Sequence, residues 1–188
     1  MTKRCFIAVN IPQTAKDQLA EFIRRLKKIN SDQAIRYVKS KRIHLTLHFL
    51  GNLTSEQIIR VQKILKQQAS HCEAAEIDTD RIDAFPTLKN PRVIFLAGVQ
   101  KEGGNLKDLQ INLGKELEKA DIKIGCKKWH PHLTLARVVG PCRFETKNLE
   151  LPELKIPVES VELMESKLSP YGAEYKIISS YTLKSPKA

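Results

Sequence analysis

Apolar and polar residues alternate along two stretches that carry the same tetrapeptide. His44-Leu45-Thr46-Leu47-His48-Phe49-Leu50 and His132-Leu133-Thr134-Leu135-Ala136 both begin His-Leu-Thr-Leu, at residues 44–47 and 132–135, and their Leu, Thr and Phe content predicts strands. Alternate residues of a strand share a face, so each His and Thr point one way with the leucines behind them. The same alternation turns Phe49 away from His44 and into the core. It leaves His48 lining the face of His44 and Thr46, two positions further along.

Other runs show strand or helix spacing. Arg4–Val9, Ile35–Val38, residues 75–83 and Arg92–Ala97 have strand character, and Phe85-Pro86 with Asn90-Pro91 marks a connector before the last of these. Leu19, Phe22, Ile23 and Leu26 form a helical stripe that ends near Ile29 and opens at a loose Thr14–Asp17 cap. Ile58, Val61 and Leu65 follow a capping box made by Thr54 and Gln57. A third stripe, Leu106, Leu109, Leu113, Leu117 and Ala120, comes after Gly103-Gly104. Leu154–Leu168 and Tyr175–Leu183 read as two long strands joined through Ser169-Pro170-Tyr171-Gly172. The helices are too few for strict alternation with strands, so the expected class is α+β with mostly antiparallel strands.

More than the tetrapeptide repeats. His44 and His132 lie 88 positions apart, and the same shift carries Arg4–Val9 onto Arg92–Ala97. Each half therefore reads strand, amphipathic helix, His-x-Thr strand, although the apolar positions of the helices slip by about one residue. A tetrapeptide can recur by accident in a Leu-rich chain, and a strand His is often structural. Against accident, two of only five histidines occupy the same place in the two copies, which is the pattern of a duplication with drift.

Composition narrows the class further. The 188 residues, 41% of them hydrophobic, suffice for one domain or for two small lobes sharing a core. No apolar run is long enough to span a bilayer, and Met1-Thr2-Lys3-Arg4 does not open a signal peptide, so a cytoplasmic protein without membrane attachment is expected. Cys5, Cys72, Cys126 and Cys142 form no Cys-x-x-Cys pair and are read as reduced thiols. The formal net charge of +11 points to a polyanionic partner. Arg24, Arg25, Lys27 and Lys28, by contrast, are simply the wet face of the first helix.

If the two His strands face each other, two imidazoles and two hydroxyls converge, a set suited to acid–base chemistry at a phosphate. His44 with His48, and His130 with His132, could each share a face. Neither pair has the nearby Cys or carboxylate ligands that zinc sites usually add, so no metal or other cofactor is expected. His71 reads as a solvent residue, and His130 is given no catalytic role. Arg137 is five residues beyond His132, which on an undisturbed strand puts it on the opposite face. Phosphate binding and a structural ion pair are equally open to it.

Taken with their flanks, Arg4-Cys5-Phe6-Ile7-Ala8-Val9, the block His44 to Gly51, Phe85-Pro86 with Pro91-Arg92-Val93, and Pro131-His132-Leu133-Thr134-Leu135-Ala136-Arg137, the chain resembles the 2H phosphoesterase superfamily. Within it, the likeness is to the RNA 2',3'-cyclic phosphodiesterases, also called 2'-5' RNA ligases. The resemblance implies a single domain over residues 1–188 with a two-lobed, pseudo-symmetric α+β fold. Its antiparallel sheets form a V-shaped groove, helices pack outside, and each lobe supplies one motif. The implied reaction opens the cyclic phosphate at an RNA end to a 2'-phosphate, with His44 as proton donor and His132 as proton acceptor. Thr46, Thr134 and Arg137 are its implied substrate contacts. RNA with such ends, tRNA halves included, is the implied partner, with no obligate protein partner. Residue types alone leave the direction between the two histidines open. A non-catalytic RNA- or nucleotide-binding module of this fold, and a phosphodiesterase for small cyclic nucleotides or 2'-5' oligonucleotides, are the competing functions. Two intact motifs argue against the first, because binding alone does not need two proton carriers.

Overall fold

The computed structural model describes residues 1–31, 33–100, 105–125, 129–147, 149–169 and 172–185. Gly103-Gly104, Cys126 and the Pro170-Tyr171 part of the last connector lie outside them. The chain runs β1 (Lys3–Asn10), α1 (Gln13–Ile29), β2 (Ile35–Tyr37), a single 3-10 turn (Ser40–Arg42), β3 (His44–Leu53), α2 (Ser55–Ala69), β4 (Ala75–Thr87), β5 (Asn90–Gln100), α3 (Leu106–Lys119), β6 (His132–Val138), β7 (Lys155–Val158), β8 (Ser160–Ser169) and β9 (Gly172–Thr182).

One sheet takes the order β7-β4-β5-β6-β3-β1-β8-β9, with β2 added against β6, and its pairings are antiparallel. Its centre is the junction of β6 and β3, the two His strands, which meet at one paired position, Leu45 opposite Leu133. On either side the order repeats: His strand, then β1 or β5, then two further strands. The expected duplication of β1 as β5 and of β3 as β6 is thus the organising symmetry of an α+β, two-lobed fold.

The lobes share a core. Leu19, Phe22, Ile23 and Leu26 of α1, Val61 and Leu65 of α2, and Leu106, Leu109, Leu113 and Leu117 of α3 cluster with Ile7, Val9, Leu45, Leu47, Leu133 and Leu135. Each such side chain contributes about 1.5–3 kcal/mol by leaving water. The helical stripes cover one face of the sheet, so the opposite face is the one left for the His and Thr side chains. The capping box that opens α2 is formed: Gln57 N–H donates to Thr54 Oγ1 at 3.2 Å, and Thr54 N–H to Gln57 Oε1 at 2.9 Å. No helix among the described residues is long and apolar enough to cross a membrane.

Three local expectations are corrected. The Thr14–Asp17 cap is not used: α1 begins two residues earlier than such a cap would set it, after Pro12, with no side-chain cap, and Asp17 instead accepts from Gln13 Nε2 at 2.7 Å. The stretch Leu154–Leu168 is not one strand. It breaks at Glu159, β7 pairing with β4 at one edge of the sheet and β8 with β1 in the other lobe. An unbroken strand could not serve both, and Pro157, which lacks a donor, is tolerated at the edge. Finally, Phe85-Pro86 and Asn90-Pro91 lie inside the long β4–β5 hairpin, with Pro86 opposite Pro91. A register shift between Phe85 and Pro86 lets the ladder absorb the missing N–H groups.

Candidate active site

A β-bulge in each His strand sets the site. Along β3, Thr46 pairs with Ala8 but His48 with the adjacent Ile7, leaving Leu47 as the extra residue. Along β6, Thr134 pairs with Phe95 and Ala136 with Ile94, leaving Leu135. These are equivalent positions of the repeat. A one-residue insertion exchanges the faces of everything beyond it, so His44, Thr46, His132 and Thr134 keep the groove face while His48 and Ala136 turn to the core. Phe49 and Arg137 come back to the groove.

Two expectations fail for this reason. Phe49 is not core but 64% exposed, its ring centroid 6.3 Å from that of Phe6. His48 does not line the groove; it is 6% exposed and lies against α3, where its Nε2–H donates to the Gln110 carbonyl at 2.7 Å. Gly114 makes room for it, since a Cβ there would lie 3.2 Å from His48 Cε1. Arg137 joins the face of His132, opposite Val93 on one side and Arg36 on the other. Among the described residues no ion pair engages it.

The two imidazoles are held alike. His44 Nδ1 lies 2.8 Å from the Arg42 carbonyl, and His132 Nδ1 lies 2.8 Å from the His130 carbonyl. A carbonyl can only accept, so Nδ1 carries the hydrogen in both rings and Nε2 is the nitrogen that gains and loses a proton. The acceptor is in each case the residue two before the histidine. Nothing in the side chains of Arg42 or His130 announces this, because the backbone does the work. Trp129, beside the second motif, donates from Nε1 to the Thr46 carbonyl at 2.8 Å and so ties the second lobe to the strand of the first motif.

Aromatic rings surround both histidines. His44 lies 4.9 Å from Phe6 and 4.9 Å, edge-on, from Tyr175. His132 lies edge-on to Phe85 at 5.4 Å and Phe95 at 5.2 Å, and those two rings stack at 4.4 Å. The sequence contains few aromatic residues and no stacking motif; the fold gathers them from four different strands, so linear inspection gives no signal of the cluster.

This apolar setting dominates the electrostatics. Burial lowers the pKa of His44 below its ordinary 6.5; the Arg42 carbonyl bond opposes the shift, while positive charge on His132 and Lys16 adds to it. Burial likewise lowers His132, with the His130 carbonyl bond opposing and the His130 charge adding. His44 thus feels the charge of His132, and the free site resists holding two protons at once. Among the described residues no three His, Cys, Asp or Glu side chains converge as a metal site would require.

Known proteins share this fold. The family model described as LigT like Phosphoesterase matches residues 9–95, which include the first motif. An RNA 2',3'-cyclic phosphodiesterase of Methanothermobacter thermautotrophicus is 27% identical over 183 residues, covering 93% of this chain and 96% of its own length. One of Methanocaldococcus jannaschii is 27% identical over 186 residues, covering 93% and 98%. The crystal structure of TT0787 of Thermus thermophilus superposes with a TM-score of 0.79 at 26% identity, covering 98% of this chain and 100% of that one. Escherichia coli LigT, crystallised with 3'-AMP, shares the fold with a TM-score of 0.76 at 20% identity over 97% of this chain and 99% of its own. The chain is thus similar to LigT-like phosphoesterases over residues 9–95 and to RNA 2',3'-cyclic phosphodiesterases over most of its length.

Proposed function

We propose that this protein hydrolyses RNA ends bearing a 2',3'-cyclic phosphate, leaving a 2'-phosphate. The observation that carries the reading is the matched pair His44 and His132: each Nδ1 is fixed by a carbonyl two residues back, each Nε2 is left to titrate, and the charge of His132 is felt at His44. The relatives' activity supports the same class of substrate.

In the reaction, His132 takes a proton from water as its oxygen bonds to phosphorus. The bond from phosphorus to the 3'-oxygen breaks, and His44 protonates that oxygen. Thr46 and Thr134 donate from their hydroxyls to the non-bridging oxygens, where charge accumulates, and Arg137 holds phosphate on the same face. Because both imidazoles are disposed to be neutral in the free protein, the anionic ester itself draws in the proton that His44 then gives up. With a ribose 5'-hydroxyl in place of water, the same two proton transfers form a 2'-5' linkage. Two imidazoles carry both proton transfers, so no cation is called on. Transfer-RNA halves with cyclic-phosphate ends, encountered in the cytoplasm, fall within this substrate class.

The test is incubation of a defined RNA ending in a 2',3'-cyclic phosphate with the protein in chelator, followed by 31P NMR. Conversion to a 2'-phosphate is expected. A 3'-phosphate product, an unchanged end, or conversion only with added divalent metal overturns the reading.

A further inference from the structure

A basic cavity opens at His44 on the side of the first lobe. Its volume is ≈ 430 Å³, and it is lined by Asn10, Lys16, Lys41, Arg42, Met164 and Glu174 besides His44 and its apolar neighbours. Three cations thus meet one carboxylate, and that carboxylate, Glu174, is exposed. None of the three takes part in the proton transfers assigned above.

The cavity is built rather than incidental. Glu162 is 2% exposed; its Oε1 accepts from the hydroxyls of Ser160 and Ser180, the latter at 3.0 Å, and its Oε2 accepts the Asn10 backbone N–H at 2.9 Å. Asn10 Oδ1 in turn accepts from Lys16 Nζ at 2.8 Å. A buried carboxylate thereby fixes the end of β1, and the end of β1 fixes a half-buried ammonium. On the opposite wall, Arg42 holds His44 through its carbonyl while its guanidinium reaches the start of β9, where Nη1 would lie 2.9 Å from any Cβ added to Gly172. The Lys16 charge is felt at His44, so an anion bound by Lys16 lies one short step from the reacting phosphate.

We propose that this cavity binds the phosphate on the 5' side of the terminal nucleotide, so that Lys16, Lys41 and Arg42 make the enzyme prefer RNA ends over isolated nucleoside cyclic phosphates. A chain ending in a 2',3'-cyclic phosphate continues only in the 5' direction, and its next charge is that phosphate. A preorganised ammonium beside the reacting centre turns this charge into binding energy for the reaction. The proposal rests on the reaction proposed above, and it names two sources of one chemistry: an internucleotide diester or a free 5'-phosphate.

The test compares kcat/KM on four substrates: adenosine 2',3'-cyclic phosphate, its 5'-phosphorylated form, the dinucleotide ApA ending in a cyclic phosphate, and that dinucleotide with an uncharged methylphosphonate linkage. Wild type is expected to favour ApA over the bare nucleoside about tenfold or more, the scale of a charge-assisted contact, and to lose most of that preference on the methylphosphonate. Lys16→Ala and the double variant Lys16→Ala with Lys41→Ala are expected to bring the ratio toward one. Using the ratio within each protein cancels any change at His44 itself, and thermal melting controls for folding. Equal preference for the 5'-phosphorylated nucleoside identifies any 5'-phosphate as sufficient; its absence assigns the site to the internucleotide diester. A wild-type ratio near one, a full preference on the methylphosphonate, or a ratio unchanged in the folded double variant overturns the proposal. Inactivity of wild type on all four substrates overturns instead the reaction on which it rests.

Discussion

Leu45 and Leu133 face each other at the one paired position between the two His strands, and they are equivalent residues of the duplicated half. Each is 1% exposed and belongs to the common core. Each is also flanked by a His and a Thr whose side chains point to the other face of the sheet. The axis relating the lobes therefore passes through this leucine pair, and His44 and His132 stand on its reverse side.

Truncating either leucine attacks the joint. Leu45→Ala or Leu133→Ala is expected to cost about 2–5 kcal/mol of stability, read as a lowered urea midpoint. Activity under native conditions should fall more than the folded fraction does, because the cavity loosens the spacing of the histidines. A cost below about 1 kcal/mol in both variants would show that the joint is held elsewhere.

Much of this arrangement is legible in the sequence. The repeat, the strand alternation of His44-Leu45-Thr46-Leu47 and the three helical stripes fix which faces are buried and which residues meet. Legibility stops at the bulges. Period-two reasoning gives His48 to the groove and Phe49 to the core, and an unpaired Leu47 reverses both. The same event at Leu135 returns Arg137 to the groove. A bulge depends on the partner strand, which no local pattern reports. The break at Glu159 is hidden likewise, since only the sheet order sends β7 and β8 to different lobes.

The bulge makes a prediction about Arg137. Arg137→Ala is expected to raise KM for an RNA substrate about tenfold and to reduce the salt dependence of binding by the equivalent of about one phosphate contact. The melting temperature should hardly move, since the residue is exposed. Unchanged KM and salt slope with a lowered melting temperature would make Arg137 structural.

Proton linkage gives two expectations with a definite sign. His44, His48 and His132 all sit below the ordinary 6.5 in the folded protein, chiefly through burial. As pH falls below 6.5 the unfolded chain takes up protons at these positions that the native fold resists, so native stability declines in that window. Melting temperatures recorded from pH 7.5 to 5 check this, and a flat or rising trend contradicts it.

For catalysis the same shifts place the acid limb of the kcat/KM profile below 6.5, with apparent values that belong to the coupled pair. Binding of a phosphodiester analogue whose own charge does not titrate should take up protons near neutral pH, because the anion favours an imidazolium. Calorimetry in buffers of different ionisation enthalpy measures the uptake. Its absence would mean that the proton given to the leaving oxygen is already in place in the free protein.

The central claim is that His44 and His132 act as one unit on one phosphate, and the most direct test is the turnover of His44→Ala, His132→Ala and the double variant on an RNA 2',3'-cyclic phosphate in chelator. Circular dichroism serves as the fold control. Each single loss is expected to be at least about 10² to 10⁴-fold, and the double variant is expected to be little worse than either, as for groups that serve the same transition state. Near-normal turnover in a folded single variant, or losses that multiply in the double, would contradict the account.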